Sequence, residues 1–544
     1  MSNNERHLTR RTMLSGLGAA ALGASILTPA VAGPARGLVG QTQAAEEYYV
    51  TTVAQLQAAL AAALPGDSIV LQDRTWTDLH VVVSDEANHG LPGARITLRA
   101  ETRGGAVLTG RSAINLARDY WVIDGLVFRD GYLPGGDRGV IYFGLPLSGG
   151  GHAEAHHCEV THVTIEDYNP PNPAVQYNWV RMMGTNNTVS YSYFSGKNHY
   201  LDMVAAHWRK WTPAPTRHWI HHNYFGNIPY SGANGLGALT PVQGGTPLVS
   251  DFNIVEDNLF YRCDGESEII SIKSSNNIVR RNTVVDSVGH ICLRLGNNNE
   301  VSSNYVFANG AMAEPAPWYP GGVPLGISGG VRISGEGHRV YNNYIHGVAG
   351  HGIYIQNGGE SPTAGYQPVK DVEIVYNTII DSGINAVTIG AGISRVTAGG
   401  DNVPPENLTL ANNIIEGSNP GYLVEYGRWP WPDGEFQTEP VNLTFEGNIM
   451  YGSPAHADPV PDGIENVDPQ LERVPGDYPL FRPAPTSPAI DAAAGRGYLY
   501  VNKDIEGRPR PRPRDVGAHE QSRGPVHNPP LTGADVGPSY LDLE

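Results

Sequence analysis

The chain has 544 residues, of which 66 are glycine and 42 are proline, whereas charged residues make up only 17%. This turn-rich composition favours a core built by strands rather than by amphipathic helices. Asp and Glu outnumber Lys and Arg by 54 to 36, giving a formal net charge of -18. This balance argues against general nucleic-acid binding, and a polyanionic ligand would need a local basic surface.

The first 32 residues have the pattern of an export signal. The polar and basic start MSNNERHLTRR is followed by an apolar run at residues 13–27 and by the small-residue pattern AVA at residues 30–32. The apolar run is too short to span a membrane. The paired arginines in TRRTML are typical of twin-arginine export. We therefore expect a secreted protein, extracellular or periplasmic, with no membrane partner after signal removal.

Beyond the signal, composition divides the chain into four parts. Residues 33–47 have no periodicity and form a predicted linker. The segment VAQLQAALAAAL predicts a short helix ahead of the first strand, SIVLQD, as an end cap. The predicted domain covers residues 48–455, followed by a C-terminal cap at residues 456–521. The acidic, proline-rich residues 522–544 are predicted to be disordered.

Strand-like pieces recur along the domain with asparagine at one position. The intervals are 35, 24, 22, 39, 34, 36 and 35 residues, so the shortest indicate a coil of about two dozen residues. This pattern predicts an all-β fold: a single-stranded, right-handed parallel β-helix with an N-terminal helical cap and a C-terminal extension. Asparagines at equivalent turns can hydrogen-bond from coil to coil and tolerate left-handed backbone. The eight positions are Asn223, Asn258, Asn282, Asn304, Asn343, Asn377, Asn413 and Asn448.

Three basic residues precede asparagines of this series by similar distances. Lys273, Arg294 and Arg332 stand nine, ten and eleven residues ahead of their asparagines. Because side chains alternate along a strand, the apolar residues of ISIKS, ICLRLG and GGVRIS, Leu295 included, can face inward and leave the cations outside. Adjacent coils lie about 4.8 Å apart. We therefore predict a vertical row of cations on one outer face, which needs an anionic partner.

Acidic residues precede this row. Glu266 and Glu268 are spaced so that both carboxylates lie on one face of an extended segment. Asn234 lies eleven residues past Asn223, much as Glu268 lies ten past Asn258, which predicts a position one coil away. These hard oxygen ligands suit Ca2+ better than zinc. An acidic turn alone is usually a solvated loop, and a lone outward lysine is usually surface; their convergence on one face favours a site.

Other features carry less information. The three cysteines, Cys158, Cys263 and Cys292, contain no CxxC pair and are too few for a disulfide framework, so we predict small buried strand residues. The loop AMAEPAPWYPGGVPLG cannot form a strand and is predicted to wall a groove.

The segment NLFYRCDGESEIISIKSSNNIVRRNT, continued by GHICLRLGNNNEVSSNYVF, closely resembles polysaccharide lyase family 6, the alginate lyase and chondroitinase B family. Supporting motifs include WVIDGLVFRDG, HHNYFGNIPYSGANG and GGVRISGEGHRVYNNY, and the resemblance spans roughly residues 48–357. It implies a lyase for 4-linked uronic-acid polysaccharides. Alginate is the favoured substrate, and chondroitin or dermatan is the alternative.

The resemblance also implies roles for individual residues. Lys273 matches the catalytic base, and Arg294 matches the residue proposed as the acid. Arg332 matches a basic residue of the groove that would contact the substrate carboxylate. Three residues match the calcium ligands: Asn234, Glu266 and Glu268.

The chemistry explains these residue types. Eliminating a 4-linked uronide removes the C5 proton, which is acidic enough only when the adjacent carboxylate is neutralised, and Ca2+ would do this. Lys273 must be neutral to accept the proton. Arg294 stays protonated near neutral pH, so it can stabilise the leaving oxygen, whereas proton donation from it is demanding.

Two positions depart from the family pattern. The family commonly has histidine after the arginine, where this chain has Leu295, and Gly237 stands in place of the acid in an NGGE-like segment. These changes bear on substrate preference and on the metal site. Two other functions stay open. A polygalacturonate hydrolase would need paired acids flanking the bond, and the chain contains no Asp-Asp pair. A β-helix could also bind polysaccharide without cleaving it.

Overall fold

The computed structural model describes residues 44–135, 139–148, 151–207, 215–231, 234–243, 249–311, 326–359, 366–391, 402–417, 424–426, 439–452, 461–495 and 498–543. The predicted export signal lies outside the described residues, as do residues 312–325 of the loop predicted to wall a groove.

The described chain is a parallel β-helix, as the sequence predicts. Each coil passes through three sheets, called sheets 1, 2 and 3 in the order in which a coil meets them. Sheet 1 consists of Glu47–Val50, Ser68–Leu71, Ile96–Ala100, Trp121–Asp124, Glu159–Thr161, Thr188–Ser190, Trp219–His221, Ile254–Glu256, Ile278–Arg280, Glu300–Ser302, Arg339–Tyr341, Lys370–Val375, Glu406–Ala411 and Val441–Glu446.

Sheet 2 follows sheet 1 in each coil. It consists of Thr75–Thr77, Val107–Gly110, Val127–Gly131, Thr164–Glu166, Tyr193–Ser195, Tyr224–Ile228, Leu259–Cys263, Thr283–Val285, Tyr305–Phe307, Tyr344–His346, Thr378–Ile380, Ile414–Gly417, Asn448–Gly452 and Ile464–Asn466.

Sheet 3 completes each coil and carries the candidate site. Its parallel strands are His80–Val83, Ala113–Leu116, Gly139–Pro146, Asn178–Met182, Val204–His207, Leu239–Gln243, Glu268–Lys273, Gly289–Leu295, Ser328–Ile333, Ile353–Gln356, Val387–Ala391 and Val424–Tyr426. Five further strands pair antiparallel: His152–Glu154 on Gly139–Pro146, Gly358–Gly359 with Asn402–Val403, and Leu471–Arg473 with Phe481–Pro483.

The interior of the helix is filled by apolar side chains from all three sheets. Equivalent residues stack from coil to coil: the rings of Phe194 and Phe225 lie 5.4 Å apart, and those of Phe225 and Phe260 lie 4.9 Å apart. These distances match the spacing of neighbouring strands, about 4.8 Å. All three cysteines are buried free thiols, as predicted, although Cys158 precedes its strand rather than lying in it.

The eight asparagines form a continuous ladder at the turn between sheets 1 and 2. From Asn223 to Asn448, each side-chain amide donates to the amide oxygen of the next asparagine at 2.9 or 3.0 Å. The predicted coil-to-coil bonding is thereby confirmed. The left-handed backbone, however, falls on the preceding residue, as at His222 (φ 55°) and Asp257 (φ 56°). The asparagine side chains point into the turn, and the residue before each of these two asparagines adopts the left-handed conformation that turns the chain.

A second ladder lies between sheets 3 and 1, which sequence analysis missed. The backbone N–H of Asn253 donates to the side chain of Asn277 at 3.0 Å, and that of Asn277 donates to Asn299 at 2.8 Å. The next backbone N–H in the series, that of Asn299, donates to Nδ1 of His338 at 3.0 Å. The turns on both sides of sheet 1 are therefore fixed by side-chain hydrogen bonds.

The N-terminal end differs in one respect from the prediction. The helix Val53–Ala62 is present, and Thr52 caps its start by accepting from the N–H of Gln55. It does not precede the first strand, because Glu47–Val50 comes before it and pairs in parallel with Ser68–Leu71. In the part of the chain that the structure describes, no helix is long and apolar enough to cross a membrane.

The predicted disorder of residues 522–544 is wrong for residues 522–543, which lie against sheet 2. The N–H of Leu531 donates to Thr283 at 2.8 Å, and the hydroxyls of Tyr540 and Thr164 lie 2.9 Å apart. Val536 is buried against Tyr224 and Leu259. The average composition of the tail does not reveal these few apolar side chains, which pack against aromatic and aliphatic residues of sheet 2.

Candidate active site

The candidate site lies on the outer face of sheet 3. The inward residues of its strands are core residues with at most 1% exposure: Ile270, Ile272, Ile291, Leu293, Val331 and Ile333. Alternation along each strand therefore places Lys273, Arg294 and Arg332 on the outer face, as predicted. The strands concerned are Glu268–Lys273, Gly289–Leu295 and Ser328–Ile333.

The three cations do not form the predicted vertical row. Lys273 stands opposite Leu295, after a register shift between Ile272 and Lys273. Arg332 stands opposite Cys292, two residues before Arg294. The row is therefore staggered along the strands. The same shift leaves Leu295 only partly buried, although alternation predicts an inward position.

Glu268 is the anionic partner that this group of cations requires. Its carboxylate lies 3.0 Å from Nε of Arg294 and 4.0 Å from Nζ of Lys273, and its side chain is only 7% exposed. The hydroxyl of Ser271 also donates to it. Although burial works against ionisation, the charges of Lys273, Arg294 and Arg332 hold the pKa of Glu268 below its usual value. Glu268 is therefore an ionised carboxylate that joins the expected base to the expected acid.

Glu266 has the opposite electrostatic setting. Burial, followed by the charges of Glu268 and Asp202, raises the pKa of Glu266 to about 8. The backbone N–H of Gly235 donates a hydrogen bond to Glu266, which lowers the pKa only in part. A proton or a cation is therefore needed beside this carboxylate at neutral pH.

Asn234 lies in an exposed turn on the coil before the two glutamates. The turn is fixed from the preceding coil, because the N–H of Leu201 donates to the carbonyl of Gly235 at 2.7 Å. The turn contacts the acids through the backbone N–H of Gly235, which donates a hydrogen bond to Glu266. The structure thus brings the turn of Asn234 next to the carboxylate pair.

Asp202 is an acid of the site that sequence analysis missed. It is buried, and its carboxylate accepts from the N–H of Gly237 at 3.1 Å. A Cβ added to Gly237 would lie 2.7 Å from Asp202 Oδ1 and 3.4 Å from Glu266 Oε1. The carboxylate of Asp202 therefore occupies the place where an acidic side chain at position 237 would begin.

A signal for Asp202 did exist in the sequence. It lies ten residues past Ser192, the same offset that separates Glu268 from Asn258. Ser192 takes the ladder position of its coil, since its N–H donates to Asn223 at 3.0 Å. Because this coil has serine instead of asparagine at the ladder position, an alignment of the coils on asparagine leaves it out and misses Asp202.

Two further residues of the site come from outside the motif segment. Gln356 accepts a hydrogen bond from Nε of Arg332 at 2.8 Å. The ring of Tyr366 lies against both arginines, with its centroid 3.7 Å from the guanidinium carbon of Arg294 and 4.8 Å from that of Arg332. No strand pattern pointed to Tyr366, which lies in an irregular segment.

Two neighbouring groups are unsuited to proton transfer or nucleophilic attack near neutral pH. His290 stands opposite Glu268, and burial followed by the charge of Arg332 lowers its pKa to about 4. Burial and the charge of Glu268 raise the pKa of the Cys292 thiol to about 12. His290 is therefore neutral and Cys292 is a protonated thiol.

The side chains around Glu266 supply oxygen donors for a metal ion. Among the described residues, no group of three or more His, Cys, Asp or Glu side chains is arranged to hold a metal ion. The donors present are nevertheless hard oxygens, and the pKa of Glu266, raised by burial and by the charges of Glu268 and Asp202, is one that a bound cation would lower. The chemistry of the donors therefore fits Ca2+ better than a transition metal.

Comparison with known families identifies the family of the chain. The sequence model of the family called Chondroitinase B matches residues 50–422, well over half of the chain. The chain belongs to the chondroitinase B family. The matched region contains every residue of the cluster around Glu268. No curated protein matches the sequence.

Solved structures of alginate lyases resemble this chondroitinase B family member. The PL6 family alginate lyase AlyGC is 26% identical with a TM-score of 0.70, and the match covers 92% of this chain and 59% of that one. A mannuronic acid specific family 6 lyase from human gut microbiota is also 26% identical, with a TM-score of 0.63 and coverage of 78% and 91%. The PL6 lyase Pedsa3628 from Pseudopedobacter saltans, 24% identical with a TM-score of 0.62 and coverage of 91% and 99%, shares the fold. The chain thus spans 59% of the length of AlyGC.

Proposed function

We propose that this protein is a secreted polysaccharide lyase that cleaves a 4-linked uronic-acid polysaccharide by β-elimination. Alginate is the favoured substrate, and chondroitin or dermatan is the alternative. The observation that carries the proposal is the convergence of Lys273 and Arg294 on one ionised, buried carboxylate, Glu268. Membership of the chondroitinase B family and likeness to alginate lyases support the same chemistry.

Each residue has a defined part in the proposed reaction. Lys273, 26% exposed at the outer face, accepts the C5 proton of the uronate in its neutral form, after releasing the proton that it carries in its ion pair with Glu268. The electrons of the broken C–H bond form the C4–C5 double bond, and the bond from C4 to the leaving oxygen breaks. Arg294 donates hydrogen bonds to that oxygen as negative charge develops; the oxygen finally takes up a proton from solvent water, and Lys273 returns the C5 proton to solvent. Arg332 binds the uronate carboxylate.

Calcium is part of the proposal. Asn234, Glu266 and Glu268 are the expected ligands, and Asp202 is a fourth oxygen donor beside them. When bound, Ca2+ supplies positive charge that neutralises the substrate carboxylate and makes the C5 proton easier to remove. The residues of this chain then fix the proton acceptor, the leaving-oxygen contact and the carboxylate contact around that position.

A panel of polysaccharides tests the proposed function. The purified protein is incubated with alginate, polymannuronate, polyguluronate, chondroitin and dermatan, each with calcium or with a chelator. We expect ultraviolet-absorbing unsaturated ends from alginate, lost on chelation and restored by calcium. Saturated new reducing ends would instead identify a hydrolase.

A second candidate is a β-helix that binds polysaccharide without cleaving it. It is favoured by Leu295, which faces Lys273 where the family commonly has histidine next to the arginine. Retention of alginate by the protein, with no new chain ends of either kind after long incubation, would decide for this function.

Export by the twin-arginine route is proposed from residues 1–32 alone. A fusion of these residues to a folded reporter should be exported in a bacterial host with the twin-arginine machinery. Replacing Arg10 and Arg11 with lysine should retain the reporter inside the cell; unchanged export would contradict the route.

A further inference from the structure

The ring of Tyr366 contacts both arginines of the site. Its centroid lies 3.7 Å from the guanidinium carbon of Arg294 and 4.8 Å from that of Arg332, and both distances are within the range of a cation–π contact, about 6 Å. Tyr366 is partly buried and precedes the strand Lys370–Val375 by four residues. One aromatic side chain therefore lies against two cations with different proposed tasks.

The contact constrains the direction in which Arg294 can donate hydrogen bonds. A guanidinium donates only in its own plane, so an aromatic ring close to the group limits how that plane can rotate. Glu268 anchors the same group from another side, at 3.0 Å from Nε. The carboxylate and the ring together restrict both the position and the tilt of the group.

Arg332 is held by a similar pair of contacts. Its Nε donates to Gln356 at 2.8 Å, and the second, longer ring contact is with Tyr366. Arg294 and Arg332 lie two positions apart in register, so their like charges repel. A shared aromatic ring attracts both cations and thereby opposes their separation.

We propose that Tyr366 is a positioning residue that orients Arg294 and Arg332 toward a bound uronate. This inference rests on the proposed function for the tasks of the two arginines. Because Arg294 meets the leaving oxygen and Arg332 meets the substrate carboxylate, loss of the ring lowers kcat through the first and raises KM through the second.

Two substitutions separate the ring from the hydroxyl. Tyr366→Leu removes the aromatic face, and we expect kcat/KM to fall about tenfold, with a lower kcat and a higher KM. Tyr366→Phe keeps the ring and should stay within about twofold of the wild type. A Phe variant as impaired as the Leu variant would overturn the proposal, since the hydroxyl would then be the important group.

A matched control exists far along the chain. Arg339 lies over the ring of Tyr500 at 4.5 Å, a cation–π pair outside the site. Tyr500→Leu should lower thermal stability and leave kcat and KM unchanged. If Tyr366→Leu changed only stability, as this control should, the positioning role would be contradicted.

A readout without substrate keeps the inference separate from the proposed function. The NMR signals of the arginine Nε–H groups are assigned by their loss in Arg294→Lys and Arg332→Lys. We expect both signals to shift in Tyr366→Leu, which removes the ring current, and to stay close to their places in Tyr366→Phe. Unshifted signals in the Leu variant would overturn the inference, whether or not the protein cleaves any polysaccharide. Absence of cleavage by the wild type would overturn the proposed function alone.

Discussion

Two buried glutamates of the same coil, Glu256 on sheet 1 and Glu268 on sheet 3, show how one β-helix separates structural from functional charge. Each side chain is only 7% exposed and each has a pKa held below its usual value by nearby cations. Glu256 is closely paired, with Arg280 at 2.6 Å and Arg281 at 2.7 Å. The indole N–H of Trp219 donates to it at 2.8 Å.

Glu268 is paired less tightly and with different groups. Arg294 lies at 3.0 Å, Lys273 lies at 4.0 Å, and a second buried acid, Glu266, stands two residues away with a raised pKa. The close ion pairs between Glu256 and its two arginines stabilise the outer surface of sheet 1. A lysine at the limit of contact, beside a second acid whose pKa is raised by burial, is an arrangement that a substrate or a metal ion can complete.

The largest effect expected among the changes to these two glutamates comes from Glu268. Glu268→Gln removes the carboxylate shared by the cations, so we expect a loss of cleavage rate of at least about a hundredfold. Unfolding free energy should fall by roughly 3 kcal/mol, because breaking a buried ion pair leaves its partners uncompensated. Initial rates of unsaturated product and urea denaturation measure the two effects.

Glu256→Gln is the matched control for that substitution. It removes an equally buried carboxylate with two arginine partners, so a similar loss of stability is expected. Cleavage below the unfolding transition should be unchanged. Equal loss of activity in both variants would mean that the Glu268 cluster acts only through stability.

A smaller effect concerns pH and Glu266 in calcium-free buffer. Its pKa in the folded protein, about 8, is above the value of about 4.3 expected in an unfolded chain, so the folded state binds the extra proton between these values. Wild-type stability should therefore fall as pH rises from about 5 to 8. Glu266→Gln should lack this pH-dependent loss of stability. As pH rises, the melting temperature of the variant should therefore increase relative to that of the wild type. A constant difference across this range would contradict the raised pKa.

The smallest expected effect restores the family pattern beside the base. Leu295 is partly buried opposite Lys273, so an imidazole at this position can lie beside the base. Leu295→His should change kcat/KM by less than about tenfold and alter the preference among alginate fractions more than the stability. The polysaccharide panel compares the variant with the wild type; identical profiles would show that this position does not set preference.

Sequence reasoning reached the parts of the molecule that follow from strand alternation and repetition. The asparagine series predicted the ladder and the coil length, and alternation placed Lys273 and Arg294 on one outer face. The stagger of Arg332 was missed because a register shift has no local signature in composition.

Other parts of the site depend on contacts between distant segments. Asp202 was missed because serine replaces asparagine in the ladder position of its coil, and Tyr366 was missed because an irregular segment brings it to the arginines. The packed tail was missed for a similar reason, since Val536 is buried only against residues far earlier in the chain. Such contacts are set by the assembled coils rather than by any local pattern.

The most direct test of the account is the rate at which Lys273→Ala releases unsaturated uronate from alginate in calcium-containing buffer, beside the exposed control Lys503→Ala. We predict a fall of about a thousandfold for Lys273→Ala, the usual contribution of a general base, with a melting temperature close to that of the wild type. Lys503→Ala should match the wild type in both measurements. Cleavage by Lys273→Ala at an undiminished rate would contradict the assignment of the base and with it the proposed mechanism.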